Sequence, residues 1–354
     1  MEPLKVYACY NINKDARLGS SSGAVFSSLA EYVLRNKGIV YGVAMSEDCY
    51  SAEFISITDV KNLTKLRGSK YLQAKVGNTY KLIKSDLVSG KLVLFTGTGC
   101  QVNGLKSFLG KEYNNLICAD VICHGVPSPD LWRRYVKYQE KKNGGKLKSV
   151  NFRCKDKNWT DFGIKEEMTA NSDRNLKKLY ISKDTDSYMQ MFLRDYCLRP
   201  SCYECIAKKE KMADLTLADF WGINNVAPDM NDSMGTSLVL IRTNKGEEIF
   251  ERIGTYMKLK EVSYADGVKS NPAEFRSCSR PVQRDSFFDD MHRMNFEELK
   301  KKYAVSIKLP CKIRIKRKIK ETIKSVIRII GVGGQQVNIT KSMDYFLCFI
   351  FKLK

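Results

Sequence analysis

Helical and strand-like hydrophobic periods alternate along the first third of the chain. From Ser20 to Gly38, the residues Val25, Phe26, Leu29 and Val33 fall on one stripe at helical spacing. Ser20, Ser21 and Ser22 precede the stripe as candidate N-caps, and Gly38 closes it. Ile39–Ala44 follows as an apolar run of strand length. A polar connection containing Arg67-Gly-Ser-Lys-Tyr71 leads to a helical stretch near Tyr80–Leu87, stopped by Gly90. Lys91–Thr96 is almost wholly apolar, as strands buried on both faces are. Gly97-Thr-Gly-Cys100 and a second helix, to about Leu109, come next. Leu116–Ile122 is another strand and breaks at Cys123-His-Gly. The order strand, helix, strand makes a βαβ unit. Parallel neighbours end on the same sheet edge, so Cys100 and Cys123 are expected together where open α/β sheets hold their ligands.

The second half begins near Lys148–Arg153 and is more mixed. Met189–Tyr196 is helical, and Arg199-Pro200 stops it before Cys202 and Cys205. Asp214–Asp219 alternates like a strand into Phe220-Trp-Gly222, Ser237–Arg242 is a further strand, and Gly246–Met257 a helix. The fold class predicted is α/β, with a mostly parallel or mixed sheet flanked by helices and a basic amphipathic helix at the C-terminal end. Residues 1–145 form one α/β part and 146–303 a second packed with it as one body, while 304–354 form a basic tail.

Composition narrows this picture. A chain of 354 residues with 43% hydrophobic content buries a substantial core. The start lacks a basic segment followed by an apolar one, and Tyr345–Phe351 is too short to span a bilayer. A cytoplasmic address is expected, where twelve cysteines serve as ligands, catalysts or packed thiols rather than disulfides. The net charge of +21 is concentrated late: Lys300–Arg328 holds twelve basic residues and one acid, Glu321. Isoleucines at helical spacing there favour an anionic membrane surface, reached from the inner face, or an acidic partner; a helix docked on the body is the alternative. Nucleic acid is disfavoured, because the tail lacks interleaved aromatic residues.

Cys202 and Cys205 have the spacing with which two thiolates grip one metal. With Cys100 and Cys123 they make a Cys₄ set that suits zinc or a [4Fe–4S] cluster, and spacing does not choose between them. Cys9, Cys49, Cys118, Cys154, Cys197, Cys278, Cys311 and Cys348 lack partner spacing and are taken as packed or free thiols. Ser20-Ser-Ser-Gly23 and Gly97-Thr98-Gly99 offer hydroxyls and backbone N–H groups to an anion, though neither matches the Rossmann fingerprint. Lys70 and Tyr71 add a cation and an aromatic face. His124 is a candidate proton donor or a partner of the metal group, with simple packing as the alternative.

Together these motifs resemble the coenzyme F420 hydrogenase/dehydrogenase beta-subunit family from about Tyr7 to Tyr303. The carriers are residues 20–24 (Ser-Ser-Ser-Gly-Ala), 66–71, 94–101, 123–129, 198–205 and 214–222. The resemblance implies an α/β flavoprotein holding FAD beside a [4Fe–4S] cluster, with Cys100, Cys123, Cys202 and Cys205 as cluster ligands. It makes Ser21, Ser22, Gly23, Ser69, Lys70, Tyr71, Gly97 and Thr98 candidate flavin contacts and His124 the candidate catalytic residue. Many members carry a ferredoxin-like N-terminal segment that this sequence does not show, so electrons are expected from an external ferredoxin, the deazaflavin coenzyme F420 or a partner subunit. The implied activity is oxidoreduction of an unidentified substrate, with surface polysaccharide biosynthesis as a setting suggested by bacterial relatives. The alternative is a non-catalytic Cys₄ protein acting as a scaffold subunit. Gly99 replaces the family's usual Pro and is expected to loosen the loop aiming Cys100. Ala24 replaces its second Gly and is expected to be tolerated within a helix.

Overall fold

Both faces of the main sheet are apolar and both are covered, which is why its inner strands are unbroken hydrophobic runs. The computed structural model describes residues 2–156, 158–170 and 173–304. Its strands are β1 Lys5–Asn11, β2 Ile39–Met45, β3 Ala52–Ile57, β4 Ala74–Lys75, β5 Val93–Thr98, β6 Leu116–Val121, β7 Gly145–Cys154, β8 Gly163–Ala170, β9 Asp173–Ser182, β10 Leu215–Asp219, β11 Ser237–Ile241 and β12 Met257–Glu261. Among the described residues nine strands form one mixed sheet, ordered β12-β1-β11-β10-β6-β5-β2-β3-β4. The strands β7-β8-β9 form a separate antiparallel sheet. Within the large sheet β10, β6, β5 and β2 run parallel to one another, so their carboxyl ends share an edge. The strands β11, β1 and β12 continue it antiparallel.

Successive side chains of β5 and β6 enter opposite cores. Val93, Phe95, Leu116 and Cys118 pack with Ile83, Val102, Leu105, Leu131 and Trp132 from the helices Thr79–Val88, Gly99–Leu109 and Pro129–Asn143. Leu94 and Ile117 pack instead with Val25, Leu29 and Val33 of helix Val25–Arg35. Each fully buried large apolar side chain contributes about 1.5–3 kcal/mol. Two cores set on the two faces hold the strand ends in place.

Three local expectations change. The strand β1 was not marked by the hydrophobic pattern, because its inward residues include small Ala8 and Cys9. The helix expected at Gly246–Met257 is Asn244–Gly254, and Met257 opens edge strand β12, whose remaining residues are exposed and polar-rich. Ala24 lies outside the helix: it is the residue before Val25, in the left-handed region at φ 68°, and none of the three serines caps the helix end. Glycine is at ease there, whereas a side chain costs about 1–2 kcal/mol. The basic amphipathic helix expected in the tail falls on residues 305–354, outside the described residues. Among the described residues no helix is long and apolar enough to cross a membrane.

Candidate functional site

The shared carboxyl edge opens into a cavity of about 720 Å³. Its floor is made by strand ends: Val43 from β2, Thr96 to Thr98 from β5, Asp120 and Val121 from β6, and Leu217 to Asp219 from β10. The volume lies within the range of pockets that bury a large organic ligand, about 300–1,000 Å³. Ser21, Ser22, Ser69, Lys70, Tyr71, Gly97, Thr98, Cys123 and His124 all line it. Two motifs far apart in the chain are directly joined here, since Ser21 Oγ accepts the Ser69 N–H at 2.9 Å and lies 2.9 Å from Ser69 Oγ.

Two of the expected contacts serve other ends. Gly23 is not among the lining residues; its N–H donates to Ser237 Oγ at 2.9 Å. A Cβ there would stand 2.5 Å from the Cys9 carbonyl oxygen, so glycine is required by close approach. Lys70 spends its ammonium on the carbonyls of Lys65, Leu66 and Arg67, at 3.2, 3.0 and 2.8 Å. All three of its protons are engaged, and burial pushes it down to about 7. It caps the turn Val60–Lys65 rather than standing free for a phosphate.

Arg153, which no motif marked, completes the cavity together with the motif residues Asp219, Tyr71 and Trp221. Arg153, from β7, is 2% exposed and pairs with Asp219 at 2.8 Å. Its guanidinium lies over the Phe162 ring at 3.8 Å and the Trp221 ring at 5.2 Å. Tyr71 leans on Phe152 and Phe192, with centroids 5.8 and 5.2 Å away. Of the Phe220-Trp221 pair, Phe220 is core and Trp221 is cavity wall, stacked on Trp159 at 5.2 Å. Only the fold brings a residue of the small sheet to this edge, so nothing in the local sequence around Arg153 announces it.

The four predicted cysteines gather beside this cavity. Cys100 sits in the first turn of helix Gly99–Leu109, where unpaired backbone N–H groups favour negative charge, and its sulfur is 3.1 Å from Thr98 Oγ1. Cys123 follows β6. The segment after it pairs with the approach to the Cys202 loop: Ser128 N–H donates to Cys197 O at 2.8 Å, Arg199 N–H to Val126 O at 3.0 Å, and Pro127 bridges Leu198. That pairing carries the distant loop across, so that Val126 N–H points at Cys202 Sγ, 3.5 Å away. Cys205 is held by its N–H donating to Ser277 Oγ at 2.9 Å.

Charge links Cys123 and Cys202 to the other thiols. Burial pushes the Cys123 thiol up to about 12; Lys208 opposes this, and Cys202 and Cys100 add to it. Burial likewise raises Cys202, the Val126 N–H opposes, and Cys100 and Cys205 add. Lys208 Nζ donates to the Cys123 carbonyl at 2.5 Å and also to that of Ala273, setting a cation beside the sulfurs.

Gly99 is wedged rather than loose. A Cβ there would lie 2.9 Å from Asp120 Oδ2 and 3.1 Å from Ala207 Cβ. Gln101 Oε1 accepts the Thr98 N–H at 2.9 Å and fixes the turn from the other side. Asp120 is itself buried, and desolvation pushes it up to about 6, with the Thr216 hydrogen bond and Arg242 opposing.

Fold and site together describe an α/β protein with a four-thiol group beside a cavity of a size to bury a large organic ligand. A family model for the coenzyme F420 hydrogenase/dehydrogenase beta subunit N-terminus matches residues 6–80, and one for its C terminus matches residues 90–265. The chain belongs to the coenzyme F420 hydrogenase/dehydrogenase beta-subunit family, whose members are oxidoreductase subunits. Among solved structures it is similar to a chain of the F420-reducing [NiFe] hydrogenase complex from Methanosarcina barkeri, studied by xenon derivatization. That match has 14% identity and a TM-score of 0.49, covering 77% of this chain and 88% of that one. A search of curated proteins finds no match.

Proposed function

We propose that this chain is a flavin- and [4Fe–4S]-dependent oxidoreductase, passing electrons between an external donor and a substrate bound in the cavity. The observation that carries the reading is the gathering of Cys100, Cys123, Cys202 and Cys205 at the wall of a 720 Å³ cavity that Cys123 itself lines. When bound, the cluster supplies one-electron transfer and the flavin exchanges one-electron for two-electron chemistry.

The setting supports a cluster over zinc: a four-thiol group beside a cavity that can take a large organic ligand suits electron transfer, whereas a structural zinc needs no such neighbour.

The chain's own residues do the remaining work. Ser21 and Ser69 keep one free hydroxyl proton between them for a polar chain such as a pyrophosphate, while Ser22 and Thr98 donate theirs to the Thr236 carbonyl and to Gln101 Oε1, and Tyr71 and Trp221 offer faces to rings. His124 lines the cavity directly after Cys123 and can hold or pass a proton there. Ferredoxin, coenzyme F420 or a partner subunit is the proposed donor.

Anaerobically purified protein should carry flavin and about four irons per chain. Cys202→Ser should lower the iron and leave the circular dichroism spectrum in place. Colourless protein with one zinc per chain would establish the scaffold reading instead.

A further inference from the structure

A second group of ligands stands beside the four cysteines. His124 comes from the turn after β6, Asp195 from just beyond helix Ser187–Leu193, and Cys278 from the segment before helix Arg284–Arg293. One ligand atom from each lies within 4.8 Å of the other two. A nitrogen of His124, Nε2, is 2.6 Å from Asp195 Oδ1, and Cys278 Sγ is 2.6 Å from the His124 carbonyl oxygen.

The three are held from outside the group. The His124 ring meets the edge of Phe192 at 5.3 Å between centroids. Tyr203 Oη donates to the Asp195 carbonyl, and Asp195 adopts the left-handed backbone at φ 63°. Burial pushes the Cys278 thiol up to about 12, and the Asp195 carboxylate adds to it. Such a thiol stays protonated by itself, but a cation can displace its proton.

We infer that His124, Asp195 and Cys278 form a mononuclear site for a divalent transition metal of the zinc class, distinct from the four-cysteine group. An imidazole nitrogen, a carboxylate and a thiolate suit Zn²⁺ or Co²⁺ and disfavour Mg²⁺ and Ca²⁺, which prefer all-oxygen shells. Three protein ligands leave a fourth position for water or a substrate oxygen. Binding releases the Cys278 proton to solvent, moves the proton shared by His124 Nε2 and Asp195 Oδ1 to His124 Nδ1, and changes no oxidation state. None of its ligands belongs to the four, although His124 directly follows Cys123, so the iron count is read beside the cobalt count.

The test uses the full chain, purified anaerobically and dialysed against CoCl₂. Cobalt and iron are counted per chain, and thiolate-to-cobalt absorption is recorded in the near ultraviolet. The expected result is one cobalt per chain with that absorption. Cys278→Ser and Asp195→Asn should each weaken it at least about tenfold and leave the iron count unchanged. Cys278→Ala serves if the serine variant folds poorly. No cobalt in the wild-type chain, or equal cobalt in the Cys278 variants, would overturn the site and leave a hydrogen-bonded trio. Iron lost along with cobalt in Cys278→Ser would also overturn it, making Cys278 part of the cluster's surroundings. A chain without iron would count against the cluster alone.

Discussion

Gly99→Ala tests the reading of the site at its tightest point. Replacing glycine by alanine reduces the freedom of the unfolded chain, a gain of about 0.4–1 kcal/mol where the backbone accepts it. At this position the new Cβ would stand 2.9 Å from Asp120 Oδ2 and 3.1 Å from Ala207 Cβ. The carboxylate arm of Asp120 is short and buried at 3% exposure, so it cannot swing into solvent. Overpacking of that kind costs about 1–3 kcal/mol. The cost exceeds the gain, and a net loss of about 1–2 kcal/mol is expected. At about 2 °C per kcal/mol for a unit of this size, the melting temperature should fall by roughly 2–4 °C. The variant should also lose iron faster on dialysis, because Cys100 is the next residue. Asp120→Ala removes the obstructing oxygen, so the loss caused by Gly99→Ala should shrink in that background, with a coupling energy of about 0.5–3 kcal/mol. Thermal unfolding of the four variants followed by circular dichroism measures this. A melting temperature that rises with Gly99→Ala, or an equal loss with and without Asp120, would refute the wedge.

Two further outcomes follow from other buried positions. Ala24→Gly should raise stability by about 0.5–1 kcal/mol, the relief of a left-handed side chain less the extra freedom of unfolded glycine; denaturant unfolding would show it, and a loss would contradict the strain. Tyr135 Oη lies 2.7 Å from both Glu166 Oε1 and Asp186 Oδ2, and one hydroxyl proton serves only one of them. The other carboxyl must keep its own proton, in line with burial pushing Glu166 up to about 7 and Asp186 up to about 6. Folded-state values above the unfolded ones mean that the native chain binds more protons between about pH 4 and pH 7, so stability falls as pH rises through that window. Glu166→Gln removes the charge, and its melting temperature should exceed wild type by about 7 °C near pH 8 and by only about 2 °C near pH 5. An equal difference at both pH values would refute the shared proton.

Much of this site was legible in the chain. The runs ending at Thr98 and Val121 have a length and apolarity that suit a strand covered on both faces, and parallel neighbours must end together. That reasoning was enough to place Cys100 and Cys123 on one edge. It could not bring Cys202 and Cys205 to them, because the pairing of residues 126–128 with 197–199 is a contact between segments about seventy residues apart, with no local signature. Ala24 and Gly99 were misjudged for a related reason. A substitution in a motif shows that something changed, but backbone angle and neighbouring atoms decide what it costs.

The sequence by itself determined the inner parallel strands with their helices, the sheet edge and the ligand residue types, since these rest on short-range periodicity and side-chain chemistry. The tertiary structure alone decided which residues share a cavity. It drew Arg153 from a separate sheet, engaged the Lys70 ammonium with three backbone carbonyls, and set Cys278, a thiol without any partner spacing, against His124 and Asp195. Those are contacts across the packed body, where distance along the chain carries no information about distance in space.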